Sequence, residues 1–256
     1  MSRERLQLLL PFPHAPGYDS RDFLTAASNQ AALAWLDTDW PDQRLALFGP
    51  AGCGKSHLLH IWAERTGARI LTGQTLTEQT LPELDGMPRN GALALDDADT
   101  ARPDSLLLHL LNTARDQGLR VVLAGRSAPS RWPVRLPDLS SRLRAITAVE
   151  VRPPSDDLLT ALLMRLLSDR QLSVAQPVQD WLLTHLPRSP SVLRQAVARL
   201  DRISLVAGKP ITRSLAARIL ADGGFAVADS DESAIADGSE VSMSEVDPSS
   251  QSPGFL

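Results

Sequence analysis

A single cysteine, Cys53, stands in the whole chain of 256 residues, so no disulfide can close within it and a reducing compartment suits it. Nor is there a run of about 18 apolar residues, the length that a membrane-spanning helix needs. Arg3 and Arg5 ahead of Leu8, Leu9 and Leu10 have the outline of a secretion signal, but Pro11 breaks the patch and no small-residue cleavage site follows. A cytoplasmic protein with no membrane contact is therefore expected. Lysine is also scarce: of 26 basic residues only Lys55 and Lys209 are lysines. Aromatics are 4% of the chain, and Trp35, Trp40, Trp62, Trp132 and Trp181 are expected to be packing residues rather than a stacking platform.

Hydrophobic residues at 43% and charged residues at 22% are the proportions of a water-soluble fold with a buried core. The length suits one large domain or two small ones. The net charge of −4 conceals an asymmetry. Residues 222–256 carry eight acids and no lysine or arginine, which leaves 22 acids against 26 bases in the rest. That tail has too few large apolar residues to bury and is expected to be disordered. The proline-rich start of the chain reads as an extended arm.

Between arm and tail the pattern changes once. Short apolar strands are expected at 45–48, 69–71, 92–95, 120–124 and 146–151, alternating with helical patterns at 26–36, 56–66 and 105–117. This alternation predicts an α/β fold with a parallel sheet covered on both faces. After Pro153 and Pro154 the strands stop. Ser155 has the character of a helix cap, and Leu158, Leu159, Leu162, Leu163, Leu166 and Leu167 form one stripe behind it. Helical patterns continue at 178–185, 191–206 and 212–221. The expected organisation is an arm at 1–17, a core at 18–153, a helical lid at 154–222 and an acidic tail at 223–256.

Gly49, Pro50, Ala51, Gly52, Cys53, Gly54, Lys55 and Ser56 fit G-x-x-x-x-G-K-[ST] at every position, between an expected strand and an expected helix. Glycines let successive backbone N–H groups turn inward as an anion nest, and the helix beginning near Lys55 points its positive end at the same place. Lys55 supplies a cation for the β and γ phosphates of ATP or ADP, and Ser56 an oxygen for Mg²⁺. Such a loop works with an acid at the end of another strand. Asp96 is the expected Mg²⁺ partner and Asp97 the group that polarises an attacking water. Cys53 is read as a small loop residue. His57 and His60 have no cysteine or glutamate at ligand spacing, so zinc is not expected.

These motifs resemble the DnaA-type AAA+ proteins. His57 and Leu58 follow the loop hydroxyl as in that family, Asp96-Asp97 matches its double aspartate, and Phe23, Leu24 and Asn29 resemble the segment bordering the adenine. Ser141-Arg142-Leu143 resembles its arginine-finger element, and Ser191 through Arg194 the element carrying its sensor-2 arginine. The resemblance runs from about residue 18 to 221. It implies a five-stranded AAA+ core with a helical lid, Arg194 reaching the nucleotide of its own chain, and Arg142 reaching one on a neighbouring protomer, with a homo-oligomer among the possible assemblies. One departure stands out. After the fourth strand the family has a polar sensor, often in an Asp-Arg pair, whereas here Arg126 follows Gly125. Weak or absent intrinsic ATPase activity is therefore expected.

No DNA-reading domain is expected after the lid, and an acidic tail would repel phosphate, so sequence-specific DNA binding is not expected. The arm adds a second resemblance. Gln7, Leu8, Leu10, Pro11 and Phe12 are similar to the peptide by which bacterial proteins dock on the DNA polymerase sliding clamp, its beta subunit. Leu10 and Phe12 would enter apolar pockets and Gln7 would meet the rim. A clamp peptide ahead of a DnaA-like core resembles the Hda (HdaA) family of regulators. That resemblance implies a protein that docks on the clamp, stimulates hydrolysis of DnaA-bound ATP and so restrains replication initiation. The alternative is an AAA+ loader of helicase or clamp, or another DnaA-paralogue accessory factor.

Overall fold

The computed structural model describes residues 23–207 and 211–221. The arm with Gln7, Leu8, Leu10, Pro11 and Phe12, and the acidic tail, lie outside the described residues. Five strands, β1 (Arg44–Phe48), β2 (Arg69–Thr72), β3 (Ala92–Asp96), β4 (Arg120–Gly125) and β5 (Thr147–Glu150), form one parallel sheet in the order β2-β3-β4-β1-β5. Five helices accompany it: α1 (Gln30–Leu36), α2 (Lys55–Thr66), α3 (Leu81–Asp85), α4 (Asp104–Gln117) and α5 (Pro137–Ala145).

Alternation along each strand sends neighbouring side chains to opposite faces. Leu93, Leu95, Val121 and Leu123 meet Leu84 of α3, Leu107 and Leu110 of α4 and Leu139 and Leu143 of α5. Ala94, Val122, Leu45 and Leu47 meet Ala32 and Leu36 of α1 and Leu58, Leu59 and Trp62 of α2. Both faces are thus dry, which is why these strands read as continuous apolar runs. Four of the tryptophans, Trp40, Trp62, Trp132 and Trp181, are buried; Trp35 is largely exposed.

Four further helices, α6 (Asp156–Asp169), α7 (Gln176–His185), α8 (Pro190–Ala207) and α9 (Arg213–Ala221), enclose a separate apolar cluster that includes Leu159, Leu163, Leu166, Trp181, Leu193 and Leu200. Ser155 caps α6 by accepting a hydrogen bond from the Leu158 N–H at 3.3 Å. No described helix is long and apolar enough to cross a membrane.

Two departures from the periodicity have local causes. The helix expected from residue 26 begins only at Gln30, because the Asn29 side chain takes the Ala26 N–H at 2.9 Å and bends the chain into a turn. The short α3 has only five residues and carries no readable period.

The cap yields a direct check. Ser155→Ala should destabilise the chain by about 1 kcal/mol while Ser155→Thr retains most of the wild-type value; equilibrium denaturation measures both, and an unchanged Ser155→Ala midpoint would remove the cap from the account.

Candidate functional site

The phosphate loop follows β1 at the carboxyl ends of the strands, where ligands bind in open parallel sheets. Two of its glycines are required by close approach. A Cβ on Gly49 would lie 2.1 Å from the carbonyl oxygen of Val151, and one on Gly52, whose φ is +75°, would lie 2.5 Å from Ser189 Oγ. The loop is thus clasped between the exit of β5 and the turn that leads into α8. Gly54, at φ +107°, brings the chain into the first turn of α2, so backbone N–H groups and a helix N-terminus converge there.

An open cleft of about 740 Å³, solvent at its mouth included, lies over this loop. Gly52, Cys53, Gly54, Lys55, Ser56 and His57 line one end. Phe23, Leu24 and Asn29 line another part, and Leu158, Leu162, Pro190, Ser191 and Arg194 close it from the helical side. Gly49, Pro50 and Ala51 form the base of the loop and do not line the cleft. Phe23 packs against the sheet-side core and Leu24 against the helical cluster, so this dipeptide spans the seam between the two.

Lys55 is buried, and its ammonium donates to the carbonyls of Gly49 at 2.8 Å and Pro50 at 2.9 Å. A buried cation satisfied by two carbonyls of its own loop is positioned for an anion and held without one. Burial pushes the Cys53 thiol above its ordinary range, with Lys55 acting against the shift. That shift favours the thiol form of Cys53. Asn29 uses both ends of its amide on the loop around it: Nδ2 donates to the Leu24 carbonyl at 2.9 Å and Oδ1 accepts from the Ala26 N–H. It shapes the wall that Phe23 and Leu24 present.

Asp96 ends β3, and its Oδ1 accepts from the Asp97 N–H at 2.9 Å. Neither aspartate lines the cleft. Asp97 has a left-handed backbone, φ 45°. Desolvation first, then the carboxylates of Asp96 and Asp99, raise its pKa above the usual carboxylate value, against the pull of Lys55 and Arg126. A carboxyl so perturbed is suited to take a proton. Arg126 stands beside this acid cluster, its N–H bonded to Asp99 Oδ2 at 2.9 Å. For Mg²⁺, Ser56 and Asp96 provide the oxygen chemistry the ion prefers. Among the described residues no three His, Cys, Asp or Glu side chains converge as a protein-only metal site.

Arg142 lies elsewhere. It sits in the last turn of α5, and its Nε donates to both carboxylate oxygens of Asp138 at 3.2 Å. Its charge, with that of Arg115, helps to lower the pKa of buried Arg44, where desolvation is the largest cause and Asp42 opposes. Arg44 begins β1, the opposite end of that strand from the phosphate loop. Arg142 is therefore remote from the cleft of its own chain.

Leu158, Leu162 and Ser189 were not singled out as site residues by sequence. Leu162 belongs to the helical cluster and Leu158 sits on the same stripe near the start of α6, and no pattern separates the members that face the cleft from the rest. Ser189 carries no motif; only its contact with Gly52 marks it.

No protein-family model matches the chain. Its fold is similar to domain III of the Thermotoga maritima replication initiation protein DnaA, with a TM-score of 0.66 at 18% identity over 82% of this chain and 98% of that one. AMPPCP-bound DnaA from Aquifex aeolicus aligns with a TM-score of 0.57 at 18% identity, over 76% of this chain and 68% of that one. A Thermotoga maritima RuvB variant aligns with a TM-score of 0.56 at 18% identity, over 76% of this chain and 65% of that one. The chain spans only 66% of a DnaA structure bound to AMPPCP and single-stranded DNA. The likeness shows that the chain shares the fold of these DnaA and RuvB structures.

Asp97 gives the pH test of the site. With its pKa raised, Asp97 contributes stability below the ordinary carboxylate range and loses it as pH rises through the folded value. At neutral pH the charged group is a cost, and asparagine also suits a left-handed backbone. Asp97→Asn should stabilise the chain at pH 7 by a few tenths of a kcal/mol, the scale of surface substitutions, and by less at pH 4. Denaturation curves at the two pH values measure this; a gain that grows on acidification would contradict it.

Proposed function

We propose that the cleft binds ADP or ATP with Mg²⁺, and that the chain is a regulator acting on a nucleotide held by DnaA while docked on the sliding clamp through residues 7–12. The observation that carries the reading is the position of Arg142. It stands at the end of the sheet opposite its own phosphate loop, partly exposed, which supports a role toward a nucleotide presented by another molecule. Asp138 holds its Nε through both carboxylate oxygens. A guanidinium placed against the transferring phosphoryl group neutralises developing charge, worth about 10³–10⁵ in rate where such fingers are measured.

In the chain's own cleft the backbone N–H groups of 52–56 and Lys55 would hold the phosphates, Ser56 and Asp96 would hold Mg²⁺, and Arg194 would close on the phosphates from the helical side. Bound Mg²⁺ would supply charge neutralisation between phosphate oxygens. Arg126 stands after β4, where the DnaA-type proteins carry their polar sensor, and this departure supports slow turnover in this cleft, with the nucleotide's work being to fix the stance of the helices on the sheet. The resemblance to the Hda family and the DnaA-related fold support the choice of partner; a homo-oligomer would use the same Arg142 end, and no sequence-specific DNA contact is proposed. The loader reading is favoured by the intact set Lys55, Ser56, Asp96 and Asp97; appreciable ATP turnover by the isolated chain, promoted by single-stranded DNA, would select it.

Arg142→Ala should abolish stimulation of DnaA-bound ATP hydrolysis in the presence of loaded clamp while leaving clamp capture intact. Gln7→Ala/Leu10→Ala should do the reverse in a pull-down on purified clamp. Stimulation that survives Arg142→Ala would sink the trans-acting role, and equal capture with and without the altered arm would sink clamp docking.

A further inference from the structure

The helices α6 to α9 carry more positive charge than they neutralise. Residues 154–221 hold eight arginines and one lysine against five aspartates. Three of those aspartates are committed to arginines within the same helices: Asp156 to Arg188, Asp169 to Arg165 and Asp201 to Arg170. A fourth, Asp180, takes the Gln176 amide at 2.8 Å. Among the described residues no carboxylate forms an ion pair with Arg199 or Arg202 of α8, or with Arg218 of α9.

Arg199 and Arg202 are three residues apart, so they share a face of α8, and the buried side of that helix is taken by Leu193, Ala196, Val197 and Leu200. Arg202 is exposed. Arg199 is half-buried, and its Nε is shielded from water without a hydrogen-bond partner among the described residues. A charged donor left in that state is costly, and an acceptor brought to it removes the cost. Arg218 is exposed in the last turn of α9, where the chain leaves the helices.

The chain itself supplies the matching charge. Residues 222–256 follow α9 directly and hold eight acids with no lysine or arginine. Reach decides where that charge goes. Both α8 and α9 belong to one apolar cluster, through Leu200 and Leu220 among others. Asp229, Asp231 and Glu232 come eight to eleven residues after Ala221. That is at most roughly 25–40 Å of chain, against about 27 Å for the whole length of α8. Carboxylates tethered at that range meet the two helices at a high effective concentration, which free anions must exceed. We propose that the acidic segment after α9 docks through Asp229, Asp231 and Glu232 on the arginine face of α8, past Arg218, and so keeps other polyanions off these helices.

The test is zero-length carbodiimide coupling, which joins an amine only to a carboxylate in contact with it. Arg202→Lys in the full chain places an amine on the face while keeping its charge, and peptide mapping by mass spectrometry locates the links. An equal mixture of ¹⁴N and ¹⁵N chains separates links within one chain from links between two. The expected result is coupling within one chain, from position 202 to the carboxylates of 229–232. Its yield should fall at least fivefold between 0.1 M and 1 M salt, as the screening length drops from about 10 Å to about 3 Å. Dextran sulfate, a polyanion without carboxylates, should suppress it likewise. Arg131→Lys, an equally exposed position on the sheet side, should couple at least fivefold less. Asp229→Asn/Asp231→Asn/Glu232→Gln should abolish the link at 202. No link at 202, equal coupling at 131, a yield indifferent to salt or to dextran sulfate, or links that join two chains would each overturn the proposal.

Discussion

The architecture of the site depends on the two close approaches made by Gly49 and Gly52. One binds the loop to the chain leaving β5 and the other binds it to the turn entering α8. Neither glycine can acquire a side chain without pushing an oxygen away, at 2.1 Å and 2.5 Å. The consequence is mechanical. A loop clasped from both sides transmits any change in its own shape to the sheet on one side and to the helices on the other. Interiors packed like solids carry such strain rather than absorb it. The seam is completed by Phe23 and Leu24, each committed to a different apolar cluster.

Charge is arranged unevenly around this clasp. Lys55 is already desolvated and satisfied by carbonyls, so most of the cost of burying it is met before any phosphate arrives. Desolvation first, then the Asp96 and Asp99 carboxylates, raise the pKa of Asp97, against Lys55 and Arg126. The Asp99 carboxylate accepts from the backbone N–H of Arg126, itself an exposed residue. Trp132 closes the same loop: its ring occupies the space a side chain on Gly125 would need, and its Nε1 donates to the Ser127 carbonyl at 2.8 Å.

Much of this was legible in the sequence because it rests on local rules. The phosphate loop is a contiguous motif, the strands are unbroken apolar runs because both faces are buried, and Ser155 announces α6 by its type and by the leucine stripe behind it. Other features were hidden because they depend on encounters between distant segments. Asn29 lines the cleft beside Phe23 and Leu24 as its sequence context suggests, but the hydrogen bonds of its amide to the Leu24 carbonyl and Ala26 N–H carry no sequence signal. Ser189 has no motif, and Leu158 and Leu162 look like every other leucine of their stripe. His57 stood out only for following Ser56; its link to Arg194 joins residues 137 positions apart, and no periodicity encodes that. Arg142 was picked out by a short element, and its remoteness from the cleft is a property of sheet topology: α5 delivers the chain to the start of β5, beside the start of β1.

That topology has a further consequence. In a parallel sheet all strands point one way, so the carboxyl ends gather the phosphate loop and its acids while the amino ends gather whatever the returning helices bring back. Arg44, Arg115 and Arg142 collect at that second end, near enough that the latter two lower the pKa of the first. Three guanidinium groups held together repel, and the arrangement persists because Arg44 is anchored to the Leu111 carbonyl at 3.0 Å and Arg142 to Asp138. Each also has an acid beside it, Asp42 for Arg44, Asp116 for Arg115 and Asp138 for Arg142, so that end of the sheet is a cluster of ion pairs, while the phosphate loop and buried Lys55 stand at the other.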